Sequence, residues 1–221
     1  MPILINKKKT AAAPMPDTRL SILTAATEEF ARKGYAGART EKIARVARVK
    51  HALVFYYFRN KDNLYRAVLG SVFSEWADHV SQALDQRGPP TKRLLAYINA
   101  YFDYIVDFWW VPRLVQQEQL RHESREGGEL RKLMNRYTHP IHEKLAALVK
   151  EGISTRVFRD VDVEQTLHSI SALVVFYFAR SSALRSLEQG QAEVRAQVTR
   201  RRKAVLDFVS TALFTSRGVR P

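Results

Sequence analysis

Apolar residues recur along most of the chain at intervals of three and four. No stretch alternates apolar and polar positions strongly enough to predict a strand. The pattern predicts an all-α chain of about nine helices. The first starts at Asp17 or Thr18, either of which can cap it. It carries an apolar stripe at Leu20, Leu23, Ala26, Thr27, Phe30 and Ala31 and ends at Gly34. Thr40 is the expected cap of a short second helix, 41–47. After a break at Arg48 and Val49, a third runs from Lys50 or His51 to Tyr57. Asn60 caps a fourth helix, 61–84, which Gly88, Pro89 and Pro90 bring to a stop. A fifth covers 91–110, and Pro112 opens a sixth that ends at 120–123. Gly127 and Gly128 break the chain before a seventh, 129–151, which Pro140 is expected to kink or split and Gly152 to close. The eighth covers 163–187 and the ninth 192–216, with Gly190 between them.

The second and third helices are short, and a tight turn separates them. Ile43, Ala44, Ala47, Val49, Val54 and Phe58 are the expected internal positions, and the small Ala44 and Ala47 let the third helix approach closely. Such a pair reads as a helix-turn-helix. The outward face of its second element then offers Lys50, His51, Leu53 and Tyr56 to the major groove of B-DNA, with its N-terminal residues at base edges.

Charge strengthens this reading. Of the 221 residues, 36 are Lys or Arg and 22 are Asp or Glu, a formal net charge of +14. Residues 1–61 hold thirteen of the basic residues against four acids, so +9 sits on about a quarter of the chain. A concentrated basic head is the footprint of a nucleic-acid partner. Residues 1–16, with three prolines and Lys7 to Lys9, read as a flexible basic arm that extends the footprint. No run of 18 apolar residues predicts a transmembrane helix, and the first residues lack the order of parts of a signal peptide. The expectation is a soluble, cytoplasmic protein with no membrane partner.

The series Arg19, Leu20, Ile22, Ala26, Phe30, Gly34, Tyr35, Thr40, Ile43, Ala44, Ala47, Val49, Val54, Phe55, Tyr56, Tyr57, Phe58, Lys61 and Leu64 resembles the N-terminal domain of the TetR family of transcriptional regulators over residues 17–66. The resemblance implies a three-helix DNA-binding head, with 67–221 as a helical effector-binding and dimerisation domain. It places Thr40 and Lys61 at helix N-termini that face phosphates. Lys50, Tyr56 and Tyr57 fall at phosphates or groove walls, His51, Ala52 and Leu53 in the base-reading stretch, and Arg45 at bases or backbone. The chain departs from the family in three places. Arg48 stands where the family usually has Gly in the turn, Lys50 where Ser or Thr commonly caps the third helix, and Phe55 where Tyr is common. A left-handed conformation at Arg48 costs about 1–2 kcal/mol for a non-glycine residue.

Beyond residue 66 the motifs are weaker. The eighth helix (Leu167, Ile170, Leu173, Val174, Tyr177, Phe178) and the ninth (Val194, Val198, Val205, Phe208, Val209, Ala212, Leu213) have broad apolar faces. These can build a core on one side and a four-helix homodimer interface on the other. The basic run 200–203 reads as a solvated face. Any effector is expected to be enclosed by helices four to seven, with Trp76, Tyr101, Tyr104, Phe108, Trp109, Gln116, Gln117, Tyr137 and Phe176 as candidate lining residues. The aromatic stretch 107–112 favours an apolar or aromatic molecule.

The chain has no cysteine, and the pairs His139/His142 and Glu118/His122 fall short of the three or four convergent ligands of a metal site. No catalytic constellation, phosphate loop or cofactor motif is present in the sequence, so neither an enzyme nor a cofactor is expected. The functional expectation is a DNA-binding repressor released from a palindromic operator by a small effector. An activator and an architectural DNA-binding protein without an effector are the alternatives.

Overall fold

The structure, a computed structural model, describes residues 17–108, 111–112, 127–180 and 192–216. Eight helices lie among them: α1 Thr18–Gly37, α2 Thr40–Val46, α3 His51–Phe58, α4 Lys61–Leu84, α5 Pro90–Asp107, α6 Gly127–Ser154, α7 Val163–Arg180 and α8 Ala192–Leu213. The basic arm, most of the expected sixth helix, and Trp109, Gln116, Gln117, Glu118 and His122 lie outside the described residues.

Local chemistry sets the ends of these helices. Asp17 caps α1 by accepting from the amides of Arg19 (2.9 Å) and Leu20, and Asn60 caps α4 through the Asn63 amide (2.8 Å). Gly34 takes the expected left-handed turn (φ 65°), but the chain resumes a helical turn as far as Gly37. The buried face of α1 also differs from the expected stripe. Leu20 is 49% exposed, whereas Ile22 and Ala25 are buried beside Leu23, Ala26 and Phe30. The helix packs against both α2 and α4, so its buried face is wider than one stripe.

α2 begins one residue earlier than expected. Arg39 occupies the cap position without a side-chain cap, and Thr40 is the first helical residue. Three hydrogen bonds close the turn after α2: Ala47 N to Ile43 O (2.9 Å), Arg48 N to Arg45 O (3.2 Å) and Val49 N to Ala44 O (3.0 Å). The last two form a Schellman motif with Arg48 at its left-handed position, φ 58°. The turn therefore keeps the geometry a glycine would supply, with arginine in its place.

α4 is the spine. Its buried residues run from Leu64 and Tyr65 through Val68, Val72, Trp76 and Val80 to Leu84, and it packs against α1, α3, α5 and α6. Position 66, the expected border of the head, falls inside this helix. α6 runs alongside α4 in the same direction. Tyr137 lies near Gly70, Lys144 Nζ bonds Asp85 at 2.6 Å, and Arg93 ties Leu84 O (3.0 Å) to Glu151 (2.8 Å). Gly127 and Gly128 begin α6 rather than break the chain, and of the kink or split expected at Pro140 the split does not occur. Packing along α4 and α5 outweighs the one backbone bond that proline removes.

Gly152 does not close α6 either. It lies inside the helix because the Phe158 ring packs onto it: a Cβ there would stand 2.1 Å from the ring edge. The chain leaves α6 through a second Schellman turn, at Arg156 (φ 60°). It then forms an antiparallel bridge between Phe158 and Phe214, the one bridge among the described residues. Their rings stack at 5.3 Å. Part of the basic run is likewise not solvated. Arg201 donates to Leu173 O (2.8 Å), and Arg202 pairs with Asp103 (2.5 Å).

Gly152→Ala is expected to destabilise the fold by about 1–3 kcal/mol, as overpacking of a filled core does. Thermal unfolding checks this, with a fall of several degrees in Tm as the expected result.

Candidate nucleic-acid interface

Four elements build the head. Ile43 and Ala44 of α2 and Val54 and Phe58 of α3 are buried against Ile22, Ala26 and Phe30 of α1 and Leu64 of α4. Ala47 and Val49 pack partly buried at the edge of this core. With one face of α3 fixed inward, its other residues have a defined exposure. Lys50 and Ala52 are exposed, Tyr56 is 77% exposed, and Phe55 and Tyr57 are each 39% exposed. Tyr56 and Tyr57 meet edge to face at 5.2 Å. Arg45 is exposed on the last turn of α2, next to the turn that leads into α3.

Two of the residues expected to read bases are partly engaged by the head itself. Leu53 packs against the core and is only half-buried. The Nε2 of His51 lies 3.0 Å from the Thr40 hydroxyl and 3.9 Å from Glu41, and its ring meets Phe55 edge to face at 4.9 Å. Thr40 is buried, so its hydroxyl serves α3 rather than the expected cap. These contacts tie the start of α2 to the start of α3.

The head also uses several of its cations internally. Lys42 pairs at 3.1 Å with Glu29, a carboxylate only 7% exposed that would otherwise be buried unpaired. The Arg19 guanidinium lies over the Phe58 ring, and the Lys61 ammonium lies 4.8 Å over Tyr35. Tyr35 in turn donates its hydroxyl to Asp62, on the first turn of α4. Lys61 is thus held in place at the N-terminus of the spine.

In the body, the structure gathers some of the expected effector residues. Trp76 and Tyr101 meet at 5.5 Å, and Tyr104 and Phe108 at 4.6 Å. Tyr104 is fixed by donating to Val72 O at 2.7 Å. Tyr137 sits further toward the head, beside Gly70. Phe176 does not join them: it is 59% exposed on the outer face of α7. Three members were missed from the sequence. Tyr97 packs 6.0 Å from Tyr101, His79 lies 6.2 Å from Tyr104, and the half-buried Glu75 precedes Trp76. The spacing 97/101/104 along one helix face was the available signal. Burial raises the Tyr97, Tyr101 and Tyr104 hydroxyls above the ordinary tyrosine range, so all three are neutral donors. The Trp76 indole N–H is buried without a partner among the described residues. Among those residues no group of three or more His, Asp or Glu is placed to hold a metal. None of their helices is long and apolar enough to cross a membrane.

A short reading helix fixed across a Schellman turn, with its far face exposed, is the arrangement of a helix-turn-helix DNA-binding protein. Comparison with known proteins specifies the family. The profile described as "Bacterial regulatory proteins, tetR family" matches residues 22–68, and "Tetracyclin repressor-like, C-terminal domain" matches residues 90–209. The chain belongs to the tetR family of bacterial regulatory proteins.

Relatives include the HTH-type transcriptional repressor NicS of Pseudomonas putida. It is 24% identical over 76% of this chain and 79% of NicS. The HTH-type transcriptional repressor SCO4008 of Streptomyces coelicolor is 33% identical over 52% of this chain and 59% of its own length. Among solved structures, the regulator FadR of Bacillus subtilis, in complex with stearoyl-CoA, shares the fold. Its TM-score is 0.64 at 18% identity, over 85% of this chain and 97% of FadR.

Burial raises the Glu75 carboxyl, with Asp78 adding to the effect and His79 opposing it. The folded chain therefore keeps this proton to higher pH than the unfolded chain, and its stability declines as pH rises above the ordinary value of 4.5. Glu75→Gln removes that decline. The variant is expected to melt above the parent at neutral pH and level with it below pH 4.5, as Tm measured across pH will show.

Proposed function

We propose that this chain is a homodimeric repressor in the cytoplasm, which holds a palindromic operator through α3 and is released by a small apolar or aromatic effector. The observation that carries the proposal is α4. One continuous helix has Lys61 at the DNA-facing end and Trp76 in the aromatic cluster, so whatever displaces α4 in the body also displaces the head. Coupling of this kind is typically about 1–3 kcal/mol. Stearoyl-CoA on FadR supports a largely apolar effector, and the names of NicS and SCO4008 support repression.

The outer face of α7 and α8 supports the dimer. Their inner face buries Leu167, Ile170, Val174 and Phe178 against Val198, Val205 and Val209. Phe176 and Phe208 are left 59% and 60% exposed, beside an open depression of about 720 Å³ lined also by Leu173, Tyr177 and Arg201. An aromatic patch of this kind is what a two-fold partner covers. Two heads related by that axis would meet half-sites about 34–36 Å apart, or a multiple of that turn.

In this reading Lys50, Lys61, Tyr56, Tyr57, Arg45 and the amide end of α2 at Thr40 contact phosphates, while His51, Ala52 and Leu53 stand at base edges. Lys50→Ala and Lys61→Ala are each expected to weaken binding on all duplexes. Each should reduce the salt slope by about 1.8 per dimer, at roughly 0.9 per phosphate contact. Ala52 and Leu53 replacements are expected to change which bases are preferred in duplexes selected from random DNA. Equal losses on selected and random DNA for this second pair would overturn their assignment. If no compound of a broad apolar and aromatic panel released the protein from its selected duplex, the effector half of the proposal would fall.

A further inference from the structure

Three described residues other than glycine have positive φ, and all three are arginines: Arg48 (58°), Arg59 (63°) and Arg156 (60°). L-residues are disfavoured in this region, which is why glycine usually fills it. Arg48 and Arg59 lie immediately outside the two ends of the reading helix. Arg48 holds the left-handed position of the Schellman turn before α3. Arg59 is the centre of a γ-turn after α3, with φ 63° and ψ −50°, closed by Asn60 N donating to Phe58 O at 2.7 Å. That turn is rare and strained for a side-chain-bearing residue. Both arginines are exposed, and neither guanidinium is paired among the described residues.

We propose that Arg48 and Arg59 are DNA-backbone contacts, one at each end of α3. The major groove of B-DNA, about 12 Å wide, takes up the diameter of a helix lying in it between two walls of phosphates. An exposed arginine just outside each end of α3 has the reach to meet those walls. Guanidinium groups suit phosphates because they bond them bidentately and carry charge at every working pH. Two positions where glycine would be free of strain thus carry the side chain best fitted to the groove edge. The inference rests on the reading of α3 as the groove element, and it adds two contacts that the family resemblance does not assign.

Arg156 supplies an internal control. It sits in the same Schellman pattern, with Arg156 N bonded to Ile153 O (2.9 Å) and Val157 N to Gly152 O (3.0 Å). Its turn follows the end of α6 that packs at the far end of α4, where Arg93 joins Leu84 to Glu151. With 24 residues in α4, that is about 36 Å from the head.

The test uses the full chain with Arg48→Gly, Arg59→Gly and Arg156→Gly. DNA binding by fluorescence anisotropy is followed across a salt series on a selected duplex and a random one, and Tm is measured for each variant. Arg48→Gly and Arg59→Gly are expected to melt no lower than the parent. Each should bind both duplexes more weakly, with the salt slope reduced by about 1.8 per dimer. Arg48→Lys keeps the charge and is expected to retain most of that slope. Arg156→Gly is expected to match Arg48→Gly in Tm and the parent in binding. Parental binding and slope in Arg48→Gly and Arg59→Gly overturn the inference. So does a loss of binding accompanied by a fall in Tm, because it marks a structural role. If Lys50→Ala and Lys61→Ala flatten the slope and the arginine variants do not, this inference fails and the wider reading stands. If the parent chain shows no salt-dependent binding at all, both fail.

Discussion

A helix of 24 residues with large apolar side chains on successive turns from Leu64 to Leu84 has too broad a face for a single neighbour to cover. Four other helices are arranged to cover α4. α1 and α3 pack against it in the head, and α5 and α6 pack against it in the body. Each large side chain so buried contributes about 1.5–3 kcal/mol relative to exposure, and the core they form runs unbroken from Ile22 to Phe214. Head and body therefore share one core, and α3 packs on the same helix as the aromatic cluster.

The middle of that helix is also where the packing is least settled. Glu75 is half-buried with its charged form disfavoured, and on the next residue the Trp76 N–H is buried without an acceptor among the described residues. An orphaned buried donor costs about 1–3 kcal/mol. Both features belong to one turn of α4, against tyrosines whose hydroxyls burial keeps neutral. The ends of α4 are different. Asn60 caps one, and Lys61 stacks on Tyr35 beside it. At the other, Lys144 bonds Asp85, holding that carboxyl below its ordinary range, and Arg93 bonds Leu84 O.

Much of the head was legible in the sequence because its signals are local. A capping Asp17, a capping Asn60 and the small Ala44 each act within a few residues, and the structure places them accordingly. What was not legible depended on distant partners. Gly152 looked like a helix stop and is instead a platform for Phe158, a contact made only once the chain has left α6 and turned back. Pro140 was expected to kink or split its helix, yet α6 continues unsplit through it along α4 and α5. The run 200–203 looked solvated, yet Arg201 and Arg202 reach Leu173 and Asp103 on other helices. In the candidate interface, the spacing of α3 gave Lys50 and Tyr56 as outward residues, but Leu53, also expected to face outward, packs partly buried against the core. The spacing did not show that His51 is held by Thr40, because that contact crosses the turn.

The charge of the head needs the same separation of local from distant. A net +9 on residues 1–61 suggests a uniform basic surface, but its members do different work. Lys42 neutralises the buried Glu29, and Arg19 and Lys61 lie on aromatic rings. Lys42 contributes less to a phosphate than a cation that is exposed and unpaired, because Glu29 matches its charge before DNA arrives. Strain does not by itself mark the functional ones either. Arg156 repeats the turn of Arg48 at the far end of the molecule, where no reading helix follows. A left-handed arginine is thus tolerated wherever the surrounding hydrogen bonds close a Schellman turn. Position sets the pair at α3 apart: an exposed guanidinium stands just outside each end of the helix whose outer face carries Ala52 and Tyr56.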